Sequence, residues 1–190
     1  MIVVNLYGAP GAGKSTGAAY VFSMLKMSGI NAELITEYAK DMAWENNTTA
    51  IDNQAYIFGQ QYYKTTRCED KVDVIITDSP ILLSALYNHS QVLGEEFNNT
   101  VARVAKSYKT LDYMILRDKP YNPVGRFQTE EESDAMSKRI EELLDRYQVK
   151  YKKIRGTPNE YTSVVIDVMR ELSLEGKNPN VKNKKDVSAL

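Results

Sequence analysis

Gly8-Ala9-Pro10-Gly11-Ala12-Gly13-Lys14-Ser15-Thr16 is the stretch whose reading decides the fold. It is a complete Walker A loop, set between an apolar run at residues 2–6 and an alanine-bearing helical stretch. Glycines at these spacings let successive backbone N–H groups turn inward around a phosphate. Lys14 then reaches the β and γ oxygens, and the Ser15 hydroxyl offers a ligand to Mg²⁺. The helix beginning there adds partial positive charge at the same point. Strand, loop and helix arrive in the order the mechanism requires, which makes the chain a nucleoside triphosphate binder rather than a chance match on a surface loop.

Working outward, 190 residues that are 43% hydrophobic and 26% charged suit one α/β domain with a sizeable core. A net charge of −1 gives no overall electrostatic footprint for bulk nucleic acid or membrane, although a local basic groove is compatible with it. One cysteine, Cys68, and one histidine, His89, exclude an internal disulfide and a zinc site of clustered His and Cys. Neither a membrane-length apolar run nor a signal-peptide pattern occurs, so a cytoplasmic setting is expected, the host cytoplasm if the chain is phage-encoded.

Short β-branched runs alternate with helical periodicity along the chain. Residues 2–6, 32–35, 72–78, 113–116 and 151–154 read as strands, the last as an edge. Between them, Ala18, Val21, Phe22 and Leu25 mark a first helix that Gly29 stops; Ile51, Ala55, Phe58 and Tyr62 mark one face of a long second helix. Ser79-Pro80 is expected to start another helix, and Phe97, Val101, Val104, Ala105 and Tyr108 a further one. Thr129 with Glu132, and Thr157 with Glu160, read as capping boxes, the second with Pro158 at the first helical position. This pattern predicts a P-loop three-layer sandwich: a parallel sheet of about five strands, helices on both faces and a short lid. Residues 1–174 form the expected domain, and residues 175–190 a polar, basic tail expected to be mobile.

Ligands of such sheets collect at the carboxyl ends of the strands, where the Walker loop, Glu37 and Asp78 converge. Asp78 at a strand tip suits a Walker B carboxylate that holds Mg²⁺ beside Ser15, and equally a helix N-cap. Glu37 suits the base that takes a proton from an attacking hydroxyl, and equally a solvated helix-start carboxylate. The segment 117–128 carries Arg117, Lys119 and Arg126 with Gly125 between them, as a basic lid over phosphates would. A plain basic surface loop is the alternative. On the second helix and just before it, Tyr38, Asn53, Gln54, Tyr56, Gln60, Gln61, Tyr63 and Lys64 offer amides and rings that could border an acceptor cleft or simply meet water. From these, Tyr38, Gln54 and Gln61 are the substrate candidates, and Trp44 would cap the same cleft or close a core edge.

The Walker loop, Ile35-Thr36-Glu37-Tyr38-Ala39-Lys40, Asp52 to Gln61, Ile75-Ile76-Thr77-Asp78-Ser79-Pro80 and Gly125-Arg126-Phe127-Gln128-Thr129-Glu130 together resemble the P-loop kinases related to the ribosylnicotinamide kinase domain. Phage-encoded members of that group phosphorylate 5-hydroxymethyluracil in DNA. The resemblance runs from about Ile2 to Leu172. It implies an ATP- and Mg²⁺-dependent kinase with Gly8, Gly11, Gly13, Lys14, Ser15 and Thr16 on ATP and Mg²⁺ and Arg126 in the lid. The acceptor it implies is a hydroxyl of a nucleoside, a nucleotide or a modified pyrimidine in DNA, with a nicotinamide riboside-type metabolic kinase as the alternative. The oligomeric state is left open.

Two other classes use a Walker loop. A regulatory GTPase needs Asn-Lys-x-Asp after a buried strand; Asn183-Lys184-Lys185-Asp186 matches the letters but lies in the basic tail with no strand before it. A motor-type ATPase or ATP-dependent binding module would couple the loop to a partner domain, for which the chain has no room.

Overall fold

The computed structural model describes residues 1–117 and 129–176. Ile2–Tyr7 (β1) is buried along its whole length, as a central parallel strand covered on both faces must be. It runs through the Walker loop into Lys14–Met27 (α1), and then Ala32–Ile35 (β2) follows. Three helices come next, Tyr38–Trp44 (α2), Thr48–Asp52 (α3) and Gln54–Thr66 (α4), leading to Val74–Thr77 (β3). Leu83–Leu86 (α5) and Gly94–Lys106 (α6) precede Lys109–Leu116 (β4); Glu130–Arg146 (α7), Tyr151–Arg155 (β5) and Pro158–Leu174 (α8) complete the described chain.

All five strands pair in parallel in the order β2-β3-β1-β4-β5. Strand side chains alternate between two layers. Ile2, Val4 and Leu6 of β1 join Ala18, Val21 and Leu25 of α1 and Val164, Val165, Val168 and Leu172 of α8 in one core. Tyr7 and Met114 face Val101 of α6 and Ile140, Leu143 and Leu144 of α7 in the other. The expected sandwich, with five strands and helices on both faces, is therefore the fold, and β5 is its edge.

Four expectations about local structure need correction. The long second helix is broken in two: Asn47 accepts from the N–H of Ala50 and Asn53 from that of Tyr56, so each asparagine starts a new helix. Ile51 therefore belongs to α3, while Phe58 and Tyr62 of α4 do pack on the core. Pro80 sits outside a helix; its carbonyl accepts from Leu83 N–H in a turn that precedes α5. Tyr108 packs with the α6 face but lies beyond that helix. Thr157 caps α8 without a side-chain hydrogen bond, leaving Pro158 to preset the first turn, whereas Thr129 and Glu132 form both bonds of a capping box on α7. The candidate lid residues Lys119, Gly125 and Arg126, the tail from residue 177 and Asn183 to Asp186 lie outside the described residues.

Candidate active site

The Walker loop owes its course to two glycines above all. Gly8 has φ +154°, and a Cβ there would lie 2.9 Å from the Ile115 carbonyl of β4; Gly13 has φ +101° immediately before α1. Ala9 and Ala12 are buried, whereas Pro10, Gly11 and Gly13 are half-buried and Ser15 and Thr16 stand exposed in the first turn of α1. The Lys14 ammonium donates to the Gly8 carbonyl at 2.7 Å and to the Ala9 carbonyl at 3.2 Å, which folds it over the entrance of the loop.

Sheet register brings the acidic residues to the same place. Thr77 pairs with Asn5 of β1 on one side and Ile35 of β2 on the other, so Asp78 lies just beyond the strands where β1 enters the loop. Asp78 is buried, and its Oδ1 accepts the backbone N–H of Glu37 at 3.1 Å. Glu37 is the N-cap of α2 without a side-chain capping bond, so its carboxylate is free of that helix-start duty. Burial pushes the Glu37 carboxyl upward; the Lys14 charge pulls it down, the neighbouring Asp78 raises it, and Lys40 and Asp41 act in opposite senses with smaller effect. Lys14, Glu37 and Asp78 thus form one electrostatic group, although they come from three separate parts of the sequence.

The wall beside this group is built by α2 and α4. Gln61 is buried, and its amide is engaged by the main chain: Oε1 accepts from Tyr38 N–H at 3.2 Å and Nε2 donates to the Thr36 carbonyl at 3.4 Å. It therefore ties the Glu37 segment to α4. Gln54 donates to the Ile51 carbonyl at 3.0 Å, bridging α3 and α4. Tyr38 and Tyr56 exchange a hydroxyl contact of 2.7 Å with their rings edge to face at 5.7 Å, and Lys64 stands 5.2 Å from the centre of the Tyr38 ring. Trp44 is 77% exposed, so it does not close a core edge.

Among the described residues no group of three or more His, Cys, Asp or Glu side chains could cage a metal ion. Mg²⁺ in phosphate-transfer sites needs no such cage, since it takes one or two protein oxygens and fills its octahedron with phosphates and water. An exposed Ser15 hydroxyl at the loop and the Asp78 carboxylate at the adjacent strand tip fit that requirement.

A family model described as AAA domain matches residues 3–160, from β1 to the first turn of α8. The chain belongs to that AAA-domain family. No curated protein matches the sequence. Among solved structures, the fold is similar to a deoxyadenosine kinase from M. mycoides with the products dCMP and a flexible dCDP bound, at 16% identity and a TM-score of 0.54, covering 90% of this chain and 99% of that one. The same enzyme with bound dATP matches at 18% identity and a TM-score of 0.54, over 88% and 99% of the two chains. Among the described residues no helix of this AAA-domain protein is long and apolar enough to cross a membrane.

Around the AAA-domain loop the sequence pointed to Arg117 but not to Ser133, Tyr161 or Tyr87. Arg117, expected at the phosphates, leaves the end of β4 and donates to Asp134 of α7 at 2.8 Å. Its neighbour in that helix, Ser133, is buried and donates to the Pro10 carbonyl at 2.9 Å. Tyr161 of α8 donates to the Gly13 carbonyl at 2.9 Å. Tyr87, just after α5, feels the Glu37 charge: burial first and then Glu37 push its phenol upward, while Arg139 of α7 draws it down. A usable signal existed for Tyr161 alone. Gly17 inside α1 weakens that helix by about 1 kcal/mol relative to alanine, which asks for a side chain packed where its Cβ would be.

Proposed function

We propose that this AAA-domain protein is an ATP- and Mg²⁺-dependent phosphotransferase acting on a hydroxyl group of a nucleoside, a nucleotide or a modified pyrimidine. The observation that carries this reading is the meeting of Lys14, Asp78 and a half-buried Glu37 at the mouth of the Walker loop. A carboxylate beside the phosphate lysine whose proton affinity burial has raised suits a base for an alcohol acceptor; it would serve an attacking water as well, so the identity of the phosphate acceptor is what separates kinase from ATPase.

In the proposed reaction the loop N–H groups and Lys14 hold the β and γ phosphates with Thr16 also on the nucleotide, and Ser15 and Asp78 would hold Mg²⁺, which would neutralise phosphate charge when bound. The acceptor oxygen forms its bond to the γ phosphorus as the bond from phosphorus to the β–γ bridging oxygen breaks. The hydroxyl proton passes to the Glu37 carboxylate, and ADP leaves. Arg117 and Arg126 are assigned to charge stabilisation on the transferring group. Tyr38 and the α4 face are assigned to the acceptor, with Gln54 and Gln61 shaping that wall.

Two acceptor classes remain. The deoxyadenosine kinase likeness supports a free nucleoside or nucleotide. The outward rings of Trp44, Tyr56 and Tyr63 supply stacking surface beyond a single nucleoside and support 5-hydroxymethyluracil within a DNA strand. Transfer of labelled γ-phosphate from ATP with Mg²⁺ decides between them: free nucleosides, nicotinamide riboside included, in one arm; DNA with and without 5-hydroxymethyluracil in the other. Label on either acceptor supports the kinase, and Lys14→Ala abolishes it in a folded protein. Phosphate release without an acceptor product overturns the kinase reading in favour of an ATPase.

A further inference from the structure

The Walker loop is held from outside by two helices that come much later in the chain. On one side the Ser133 hydroxyl, from α7, donates to the Pro10 carbonyl at 2.9 Å. On the other the Tyr161 hydroxyl, from α8, donates to the Gly13 carbonyl at 2.9 Å. Both donors are almost completely buried, at 1% and 2% exposure, so neither bond has water as a ready substitute.

The Tyr161 seat is prepared by glycines. A Cβ at Gly13 would stand 2.6 Å from the Tyr161 hydroxyl oxygen, one at Gly17 would stand 2.5 Å from the ring, and one at Gly156 would stand 3.3 Å from the hydroxyl and 2.7 Å from the Ala12 carbonyl. Only residues without a side chain leave room for the ring against the start of α1. Burial keeps the Tyr161 phenol protonated, which preserves it as a donor.

A trans peptide is planar, with its C=O and the following N–H pointing in opposite directions. Fixing the Pro10 carbonyl on Ser133 therefore directs the Gly11 N–H away from α7. Fixing the Gly13 carbonyl on Tyr161 directs the Lys14 N–H away from α8. The Gly13 carbonyl also accepts from Gly17 N–H at 2.8 Å, which uses its second lone pair and locks that peptide as the first rung of α1. Both N–H groups belong to the loop that cradles the phosphates.

We propose that Ser133 and Tyr161 are positioning residues for ATP: they orient the Gly11 and Lys14 peptides so that the Walker loop is preorganised for the phosphates before nucleotide arrives. This rests on the ATP-binding role assigned to the loop. Preorganisation of this kind appears in the affinity for nucleotide and leaves the affinity for acceptor untouched.

The test compares wild type with Tyr161→Phe, Ser133→Ala and Ser133→Thr by equilibrium dialysis with labelled ATP and by steady-state transfer kinetics. Tyr161→Phe and Ser133→Ala are each expected to raise the ATP Kd and KM about five- to tenfold, the value of one lost hydrogen bond. The acceptor KM stays at the wild-type value, and Ser133→Thr, which keeps the hydroxyl, recovers most of the loss. The two bonds hold different peptides, so the double variant multiplies the single effects. ATP affinity equal to wild type in folded Tyr161→Phe and Ser133→Ala overturns the inference, as does an equal rise in both KM values. If Tyr161→Phe does not fold, the Ser133→Ala and Ser133→Thr pair carries the test. Wild type that binds no ATP overturns the assignment of the loop itself, which separates that failure from this one.

Discussion

The main-chain N–H of Glu37 donates to Asp78 Oδ1 at 3.1 Å, so the side chain of one carboxylate anchors the segment that carries the other. The spacing of the two acids is thereby a property of the β2 and β3 strand ends and not of a mobile loop. Like charges placed side by side push one proton affinity up, and burial adds the larger share at Glu37, against the pull of Lys14.

Glu37→Gln is expected to lower the rate of transfer by about 10²- to 10⁴-fold while ATP binding changes little, the range for loss of a positioned general base. Its effect on stability follows from the same upward shift. A carboxyl whose folded proton affinity exceeds its unfolded one favours the fold below the unfolded value, and that contribution is lost as pH rises through the folded value. Denaturant unfolding should find Glu37→Gln equal to wild type near about pH 4 and more stable than wild type at alkaline pH. A variant less stable at alkaline pH would show that the Glu37 carboxylate is held by favourable contacts rather than penalised by burial.

Asp78→Asn separates the two parts this residue plays. The amide oxygen still accepts the Glu37 N–H, but the negative charge is gone. With that repulsion removed the Glu37 proton affinity falls, so the acid limb of the residual kcat profile moves to lower pH. A higher Mg²⁺ concentration is needed for half-maximal rate at the same time. An acid limb that stays in place would mean that a group other than Glu37 controls it.

The framework of this site was legible in the sequence because its signals are local. Residues 2–6 announced a buried strand by their unbroken apolar run, and the apolar faces of α6, α7 and α8 repeat at helical spacing. Asp78 and Glu37 could be brought together by the rule that parallel strands gather their carboxyl ends. Asn53 was harder to read: an asparagine in an amphipathic stretch looks like a surface amide until its side chain is seen capping Tyr56 N–H. Ser133 was beyond reach, since it meets a residue 123 positions away and only the stacking of α7 on the sheet decides that, and Tyr161, 148 positions from its partner, left only the indirect mark of Gly17 inside α1. Gln61 looked free to read a base, yet the path of the chain from β2 to α2 occupies its amide.

Tyr56→Phe tests the wall of α2 and α4. The Tyr38 phenol is pushed up to about 12, first by its hydrogen bond with Tyr56 and then by burial. Removing the Tyr56 hydroxyl should return Tyr38 toward about 10, visible as tyrosinate absorbance appearing at lower pH. If this pair borders the acceptor, its KM rises about two- to fivefold with the ATP KM unchanged. A changed ATP KM with a constant acceptor KM would move the pair to the nucleotide side.

On the strand that feeds the loop, three residues before Gly8, Asn5 faces Asp112 across β1 and β4 as its register partner, and Asn5 Nδ2 donates to Asp112 Oδ1 at 2.9 Å. Asp112 also accepts from Thr110 and Tyr7, beside a cavity of about 270 Å³ that Ala105 and Val149 help to line. Burial raises the Asp112 carboxyl most, and the three donors pull it back. Asn5→Ala removes one donor and leaves a buried carboxylate less satisfied, for a loss of about 1–3 kcal/mol where the group is ionised. The upward shift then grows, so the fold loses stability over a wider span as pH rises through the folded value. Urea unfolding of Asn5→Ala and wild type should give the larger difference at about pH 8 and the smaller at about pH 5. An equal loss at both would mean that Asp112 keeps one protonation state across that span, and that Asn5 contributes register and packing alone.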